Sequence, residues 1–579
     1  MTYKEAGEKA GQLSSALRKE GLAQGARVGC FGPNSPEWML AMQACNNQSM
    51  QCIPLYDTLG AEVIEYIVNH AEISLVFCEA TKMEHLVEAM PKCPTLKTVV
   101  MWGEIKEDSL ANTKASGVKT YSFDEFVEVG KANPVEDVPP LPDSVCTIMY
   151  TSGTTGNPKG VVLKHCAIVS AVVACYLACC NWGIELTSND VFLSFLPLAH
   201  IFDRVTEEMF LSFGGQIGYW RGDVKMLVDD IGSLRPTFFC GVPRIYDRIF
   251  AGVTDQVNKA GGLKKFLFNF GFSRKMHHLT AGVQQSKASP LFDKIVFSKV
   301  KQRLGGRVRI IVSGAAPLAR HVEDFLRVTM CCPVVQGYGL TETCASSFIC
   351  EPDNIKMAGT VGTPFPCIEF MLESVPEMDY DALGDVPRGE ICMRGPALFS
   401  GYYKQEKATS EVMDSNGWFH TGDVGELADG CLKVIDRKKN IFKLSQGEYV
   451  AAEKLENVYG QCAMLDMIWV YGDSYKSMLV AVAVPNEGKL VSWASEKGIK
   501  GSFTELCTSE AAKAHILSQL SSIGKDNKLK GFEMVKAIHL APEPFSVEND
   551  LLTPTFKKRR PQLKKAFQNE LDALYASLG

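Results

Sequence analysis

The feature that most constrains the fold is a recurring alternation of short apolar segments with turns and amphipathic helices. Residues 27–32 (RVGCFG) read as a strand. Asn34 and Ser35 follow as helix-capping side chains, Pro36 suits the first turn, and Glu37 complements the positive helix end. Residues 74–78 (SLVFC) and 98–102 (TVVMW) are further strands. Residues 309–312 (RIIV) lead through Gly314, Ala315, Ala316 and Pro317 into a helix around 322–328, then a strand at 333–336. This strand–helix–strand grammar implies parallel pairing, with ligands beyond the carboxyl ends of the strands. The expected fold class is α/β, with mixed or mostly parallel sheets covered by helices.

A chain of 579 residues exceeds what one hydrophobic core supports, so at least two domains are expected. Near Asp436 the pattern changes to RKKN followed by a shorter α+β arrangement, which places the expected boundary between 1–435 and 436–579. A net charge of −6 argues against a general polyanion binder, and no nucleic-acid partner is expected. The twenty cysteines show no recurring zinc-ribbon or zinc-finger spacing and read as reduced, mostly buried thiols. The first twenty-one residues lack a secretory apolar core, and the chain ends without a Ser-Lys-Leu or Lys-Asp-Glu-Leu address. Residues 166–184 carry no formal charge, but their densest apolar part is short for a membrane span; a buried core helix is the reading.

The strongest chemical signal is YTSGTTGNPKG at 150–160. Between two apolar strands lie Thr151, Ser152, Gly153, Thr154, Thr155, Gly156 and Lys159, a set of hydroxyls, exposed backbone N–H groups and one cation that can wrap a triphosphate. The spacing is not that of a Walker A loop. A second motif, Gln336, Gly337, Tyr338, Gly339, Leu340, Thr341 and Glu342, follows a strand. Its backbone and Tyr338 can flank a flat base, and Glu342 suits Mg²⁺ held between phosphates. A plain strand–turn–helix would also explain it. Asp423, after a Thr-Gly turn, can accept ribose hydroxyls, and Arg437 can donate to ribose or phosphate; in isolation they also fit a helix cap and a surface charge. Near the C-terminus stands LTPTFKKRR at 552–560. One lysine there can neutralise charge developing on a phosphate, although such runs are usually solvated.

In this order, the motifs resemble the adenylate-forming superfamily of acyl-CoA synthetases, luciferases and peptide-synthetase adenylation domains. LSFLPLAHIFDR at 193–204, LRPTFFCGVPRIYDR at 234–248 and DRKKNIFKLSQGEYV at 436–450 look like eukaryotic long-chain acyl-CoA synthetases. ESVPEMDYDA at 373–382 and LLTPTFKKRRPQL at 551–563 look most like plant or algal members. The resemblance implies ATP, coenzyme A and a fatty acid as substrates, Mg²⁺ as cofactor, and a large N-terminal domain with a small C-terminal lid. Residues 151–159 would be the phosphate loop, with Gly314–Pro317 and Tyr338 bordering adenine. Thr341 and Glu342 would serve phosphate and Mg²⁺, Asp423 and Arg437 ribose, and Lys557 adenylation. His200 would lie near the acyl carboxylate, Asp436 at the hinge, and Lys443, Ser445, Gln446 and Gly447 at the thiol tunnel. A ligase for an aryl or medium-chain acid, and a non-catalytic lipid-uptake protein of the same fold, are the alternatives.

Residues 257–309 hold twelve basic residues, among them Lys259, Lys264, Lys265, Arg274 and Lys275, against the single acid Asp293. Phe266, Phe268, Phe270 and Phe272 alternate through this stretch. Spacing of two is strand-like, and a helix would spread the rings around its circumference. The expectation is peripheral contact with an anionic membrane at its cytosolic face through this segment, without a spanning helix. Phenylalanines in the core beneath a solvated basic face are the competing reading.

Overall fold

Arg27–Phe31 lies at the centre of a seven-stranded sheet in the computed structural model, which describes residues 1–106, 113, 117–151, 157–223, 225–553 and 556–578. The strand order is Lys119–Ser122, Thr98–Trp102, Leu75–Glu79, Arg27–Phe31, Gln51–Leu55, Val145–Thr151, Lys159–Lys164. All neighbours are parallel except the last pair. Each apolar run is buried on both faces, as a helix-covered parallel sheet requires. Ser35 caps the Pro36–Asn47 helix, its side chain accepting from Trp38 N–H, with Pro36 in the first turn. Asn34, the other expected cap, is instead buried and donates to Ser194 Oγ (2.7 Å) and Asp203 Oδ2 (2.9 Å).

The second seven-stranded sheet runs Thr363–Pro364, Phe348–Ile349, Val334–Tyr338, Ile310–Ser313, Phe238–Gly241, Val191–Ser194, Gln216–Tyr219. Its last five strands are parallel, and the first two add antiparallel edges. The Arg320–Thr329 helix follows the Ile310–Ser313 strand, as the pattern at 309–336 predicted.

The chain divides into two compact units, Met1–Phe370 with Met393–Phe419, and Met371–Cys392 with His420–Gly579. This division groups residues 371–392 and 420–435 with the C-terminal part, unlike the boundary expected at 436. A ladder joins residues on either side of that position: Phe419–Ala428 pairs with Cys431–Arg437, placing Asp423 opposite Arg437 and Val424 opposite Asp436. The second unit also holds the hairpin Ile441–Lys443/Tyr449–Ala451 and a three-stranded sheet of Leu465–Tyr471, Leu479–Pro485 and Val535–Leu540.

Two helices depart from the sequence reading. His165–Asn181 buries Ala171, Ala174 and Ala178, but Val169, Val173, Tyr176 and Leu177 are exposed along its other face, so it is a two-faced helix. Among the described residues, no helix is long and apolar enough to cross a membrane. The alternating phenylalanines lie on the Gly262–Thr280 helix, where spacing of two splits them into two i, i+4 pairs. Phe266 stacks on Phe270 on the exposed side, and Phe268 stacks on Phe272 toward the core. Lys275, counted among the surface cations, is fully buried and donates to Asp293 Oδ1 (2.6 Å) and the Val328 carbonyl (3.1 Å).

This two-faced reading gives a direct expectation. Phe268→Ala removes a core ring and destabilises by about 3 kcal/mol, whereas Phe266→Ala stays within about 0.5 kcal/mol. Denaturant unfolding of both variants checks it; equal losses would refute the assignment of faces.

Candidate active site

In the first unit, Lys159 opens a strand that pairs antiparallel with Val145–Thr151, bringing Thr151 opposite Lys159. The two strands bracket the phosphate-loop candidates; Ser152, Gly153, Thr154, Thr155 and Gly156 lie outside the described residues. A short segment far along the chain is stitched beside Lys159. Val162 N–H donates to the Gly401 carbonyl (3.1 Å), Tyr403 N–H to the Gly160 carbonyl (2.7 Å), and Phe399 N–H to the Glu342 carbonyl (2.8 Å). Tyr402 therefore stands between the two motifs: Lys159 Nζ sits 4.6 Å from its ring centroid, and its hydroxyl donates to Glu342 Oε1 at 2.8 Å. Nothing in the local sequence FSGYYKQ marks Tyr402, because its role comes from strand pairing at long range.

The turn after Ile310–Ser313 places Ala315 in the left-handed region (φ 69°), a conformation usually left to glycine. Gln336 braces that turn. Its Oε1 accepts from Leu318 N–H (2.9 Å), and its Nε2 donates to Glu323 Oε2 (2.7 Å), itself bonded at Oε1 by Arg327. The Gln336 side chain is thus buried and structural. Tyr338 is half-buried near Phe348. Gly339 is required by close approach, since a Cβ there would overlap the Ala345 carbonyl. Thr341 and Glu342 occupy a single tight turn, half exposed, followed by two left-handed residues, Cys344 (φ 47°) and Ala345 (φ 60°). Strain of this kind persists where surrounding structure fixes it, and it clusters at functional sites.

A mostly apolar cavity shares a wall with these turns: Gly314, Ala315, Gly337 and Gly339 line it together with His200, Trp182, Met209 and Phe238. Cys175 and Cys179 also face it, and burial pushes their thiols up to about 11 and about 12, so they remain neutral. His200 caps the Ile201–Ser212 helix, its Nδ1 accepting from Phe202 N–H (3.2 Å). In the neutral ring this leaves the proton on Nε2. The same helix is fixed from its buried face by Asp203 and Glu207. Burial raises both carboxyls, Glu207 to about 8, and Tyr219 donates to Glu207 Oε2 (3.2 Å).

In the second unit, Asp423 and Arg437 meet directly: Arg437 Nε donates to Asp423 Oδ1 at 3.0 Å. Asp423 is buried at the end of a Thr421-Gly422 turn, where Thr421 Oγ1 accepts from its N–H and donates to the Ile391 carbonyl. Asp436 is also buried. Its Oδ1 accepts from Arg437 N–H (2.7 Å) and Oδ2 from Glu453 N–H (2.8 Å), so it ties the strand to the start of the Ala452–Tyr459 helix. Burial, then the Glu453 charge, raises its carboxyl to about 7. Ser445, Gln446 and Gly447 form the exposed tip after Lys443, whose ammonium lies 5.0 Å from the Tyr449 ring centroid. Gly447 takes φ 94°, and Gln446 Nε2 donates to the Ser477 carbonyl (3.1 Å).

The basic run at 557–560 is sorted by its partners. Lys558 (2.7 Å) and Arg560 (3.0 and 3.1 Å) clamp the buried carboxylate of Glu456, and Arg559 pairs with Asp550. Lys557 directly precedes these anchors and is exposed, and its carbonyl accepts from Thr553 N–H (2.8 Å). The run is therefore a braced loop rather than a solvated charge cluster. Glu456 gave no sequence signal, because it reads as an ordinary helical acid.

The Lys159–Tyr402–Glu342 arrangement generates a prediction. A hydrogen bond to a charged group contributes about 1.5–3 kcal/mol, roughly tenfold or more in affinity. Tyr402→Phe keeps the ring under Lys159 and releases Glu342, so ATP affinity falls about tenfold; Tyr402→Leu, which removes the ring as well, falls further. Equal affinity of wild type and Tyr402→Phe would show that the hydroxyl does not set the site.

Residues 1–403 match the family model described as AMP-binding enzyme. Long chain acyl-CoA synthetase 4 of Arabidopsis thaliana is 51% identical over 579 residues, covering 100% of this chain and 87% of that protein. Probable CoA ligase CCL6 of Humulus lupulus is 47% identical, covering 100% and 88%. Among solved structures, the adenylation domain of a carboxylic acid reductase from Segniliparus rugosus, in complex with AMP and a co-purified carboxylic acid, superposes with a TM-score of 0.82 at 24% identity, covering 100% and 87%. That likeness shows the adenylate-forming fold, and the sequence relatives carry the assignment further: the chain belongs to the AMP-binding enzyme family and, within it, to the plant-type long-chain acyl-CoA synthetases.

Proposed function

We propose that this chain activates long-chain fatty acids with ATP and joins them to coenzyme A, using the residues located above. The observation that carries the residue-level reading is the apolar cavity walled by the same glycine turns that the motifs assign to the nucleotide. An acyl chain in that cavity would bring its carboxylate toward His200 and the 314–317 turn. Each buried methylene contributes about 0.8 kcal/mol, so a plain apolar wall grips a long chain firmly.

In the first half-reaction a carboxylate oxygen attacks the α-phosphorus, the bond to the β-phosphate breaks, and pyrophosphate leaves. Lys159 and the backbone of 151–156 are assigned to the phosphates, Tyr338 and the 314–317 turn to adenine, and Asp423 with Arg437 to ribose. Glu342, an oxygen ligand oriented by Tyr402, and Thr341 would hold Mg²⁺, which would supply charge neutralisation at the phosphates. Lys557 is assigned to the charge that develops on the α-phosphate. In the second half-reaction the coenzyme A thiol attacks the acyl carbonyl, its proton passes to solvent, and AMP departs. Lys443, Ser445, Gln446 and Gly447 are assigned to the thiol path, Asp436 to the hinge, and residues 436–579 to the mobile lid.

Half-reactions separate these roles. Lys557→Ala lowers pyrophosphate release by about 10²–10³ while thioester formation from preformed acyl-AMP persists. Parallel loss in both would make Lys557 a folding or general binding residue. Asp436→Pro, which fixes the backbone, slows one half-reaction far more than the other; unchanged turnover removes the hinge from this position. Pyrophosphate release compared across palmitate, aryl and short acids decides against the other ligase readings and against a non-catalytic protein.

Membrane contact through 257–309 completes the proposal. Leu263 (73% exposed), Phe266, Leu267 and Phe270 form one face of the Gly262–Thr280 helix, with Leu291 and Ile295 nearby in sequence. Lys264, Lys265, Arg274 and Lys294 are exposed among them. Apolar anchoring within a basic rim suits the anionic cytosolic face of a bilayer, where a long-chain acid partitions. A variant with those four cations changed to Glu, leaving buried Lys275 intact, loses co-sedimentation with anionic vesicles at low salt. Equal binding by wild type and variant excludes the segment.

A further inference from the structure

We infer that the four-stranded sheet near the Thr421-Gly422-Asp423 turn carries a binding site for one transition-metal ion of the Zn²⁺ class, ligated by Glu373, Cys392 and His420. Three adjacent strands, Glu369–Glu373, Arg388–Arg394 and Phe419–Ala428, each supply one ligand. His420 Nδ1 lies 3.4 Å from Cys392 Sγ and 3.3 Å from Glu373 Oε2, and the three ligand atoms lie within 4.8 Å of one another.

Two of the three ligand–ligand distances match the chemistry. Tetrahedral zinc, with bonds of about 2.3 Å to sulfur and about 2.0–2.2 Å to nitrogen and oxygen, separates sulfur from nitrogen by about 3.5 Å and nitrogen from oxygen by about 3.3 Å. The arrangement is not a nucleophilic Cys–His–acid relay, in which thiol and carboxylate address opposite ring nitrogens. Here both approach Nδ1, and one nitrogen holds either one proton or one lone pair. Both contacts therefore converge on the point in front of Nδ1, where a ligated metal sits. Thiolate, imidazole and carboxylate together select a borderline-soft ion over Mg²⁺ or Ca²⁺, so this site is distinct in kind from the Glu342 site. Three protein ligands leave the fourth position to water.

Cys392 is fully buried, while the side chains of His420 and Glu373 are 25% and 53% exposed, so the ion enters past Glu373. Binding converts the Cys392 thiol to thiolate, its proton passing to solvent. The metal-bearing strands also hold the Thr421–Asp423 turn, through Thr421 Oγ1 to the Ile391 carbonyl (2.8 Å) and Gly422 N–H to Glu390 Oε1 (3.0 Å). A bound ion thus fixes the turn that presents Asp423; any effect on ATP use rests on the assignment of Asp423 to ribose.

The test measures metal binding itself and needs no ATP. The full chain, freed of metal by a chelator, is titrated with Co²⁺. A thiolate-to-cobalt charge-transfer absorption saturates at one equivalent, is displaced by Zn²⁺ but not by Mg²⁺, and is absent in Cys392→Ser. Glu373→Gln and His420→Asn weaken binding on the order of tenfold or more. Since Cys392 is buried, the half-exposed Glu373→Gln variant decides the matter if Cys392→Ser unfolds. No charge-transfer band in wild type, the same band in a folded Cys392→Ser, or unchanged affinity in Glu373→Gln would overturn the site. Unaltered ATP affinity in Asp423→Asn, with the band retained, would overturn only the ribose assignment.

Discussion

The pairing of residues 399–403 with the start of the Lys159–Lys164 strand is the constraint on which the first unit's site depends. Three backbone hydrogen bonds hold a segment that follows both motifs against the end of one and the carbonyl of the other. Side chains alone would position Lys159 and Glu342 poorly, because each has several rotatable bonds and the entropy of fixing them opposes order. Backbone ladders fix Tyr402 instead, and its ring and hydroxyl then restrict both charges. The charged pair is organised by a neutral residue that itself carries no chemistry.

Much of the architecture was legible because parallel sheets write themselves as continuous apolar runs. The strand at 98–102 and the Ser35 cap follow from pattern alone. The divergences share one cause, which is that periodicity reports faces without saying what covers them. Four phenylalanines at spacing two read as a strand, yet on a helix they form two stacked pairs pointing opposite ways. Lys275 reads as one more surface cation, yet it closes a buried pair with Asp293. The site divides in the same manner. Residues within a motif, such as Lys159, Glu342 and Asp423, can be named as candidates from pattern, whereas Tyr402 and Glu456 act across 60 residues to Glu342 and 102 residues to Lys558, where no local pattern reaches.

Two buried carboxylates of the second unit, Glu456 and Asp436, each tie distant segments together. Glu456 collects Lys558, Arg560 and the Val470 N–H, so its desolvation is offset by several charge-assisted bonds. The result is a braced segment immediately after Lys557. Asp436 is held by backbone donors from two elements, which restricts how the chain moves there. A hinge at this residue would be a defined pivot rather than a slack linker.

The two-faced His165–Asn181 helix has a consequence for substrate choice. It separates the cavity from solvent with a single layer, turning Cys175, Ala178 and Cys179 inward and Val169, Val173 and Leu177 outward. The inward residues are small and neutral, and none belongs to the nucleotide turns. On the proposed assignment of the cavity to the acyl tail, side-chain volume on this exposed wall contributes to the depth available, apart from the reaction centre. On such a wall, chain-length preference can drift by single substitutions while the chemistry stays fixed.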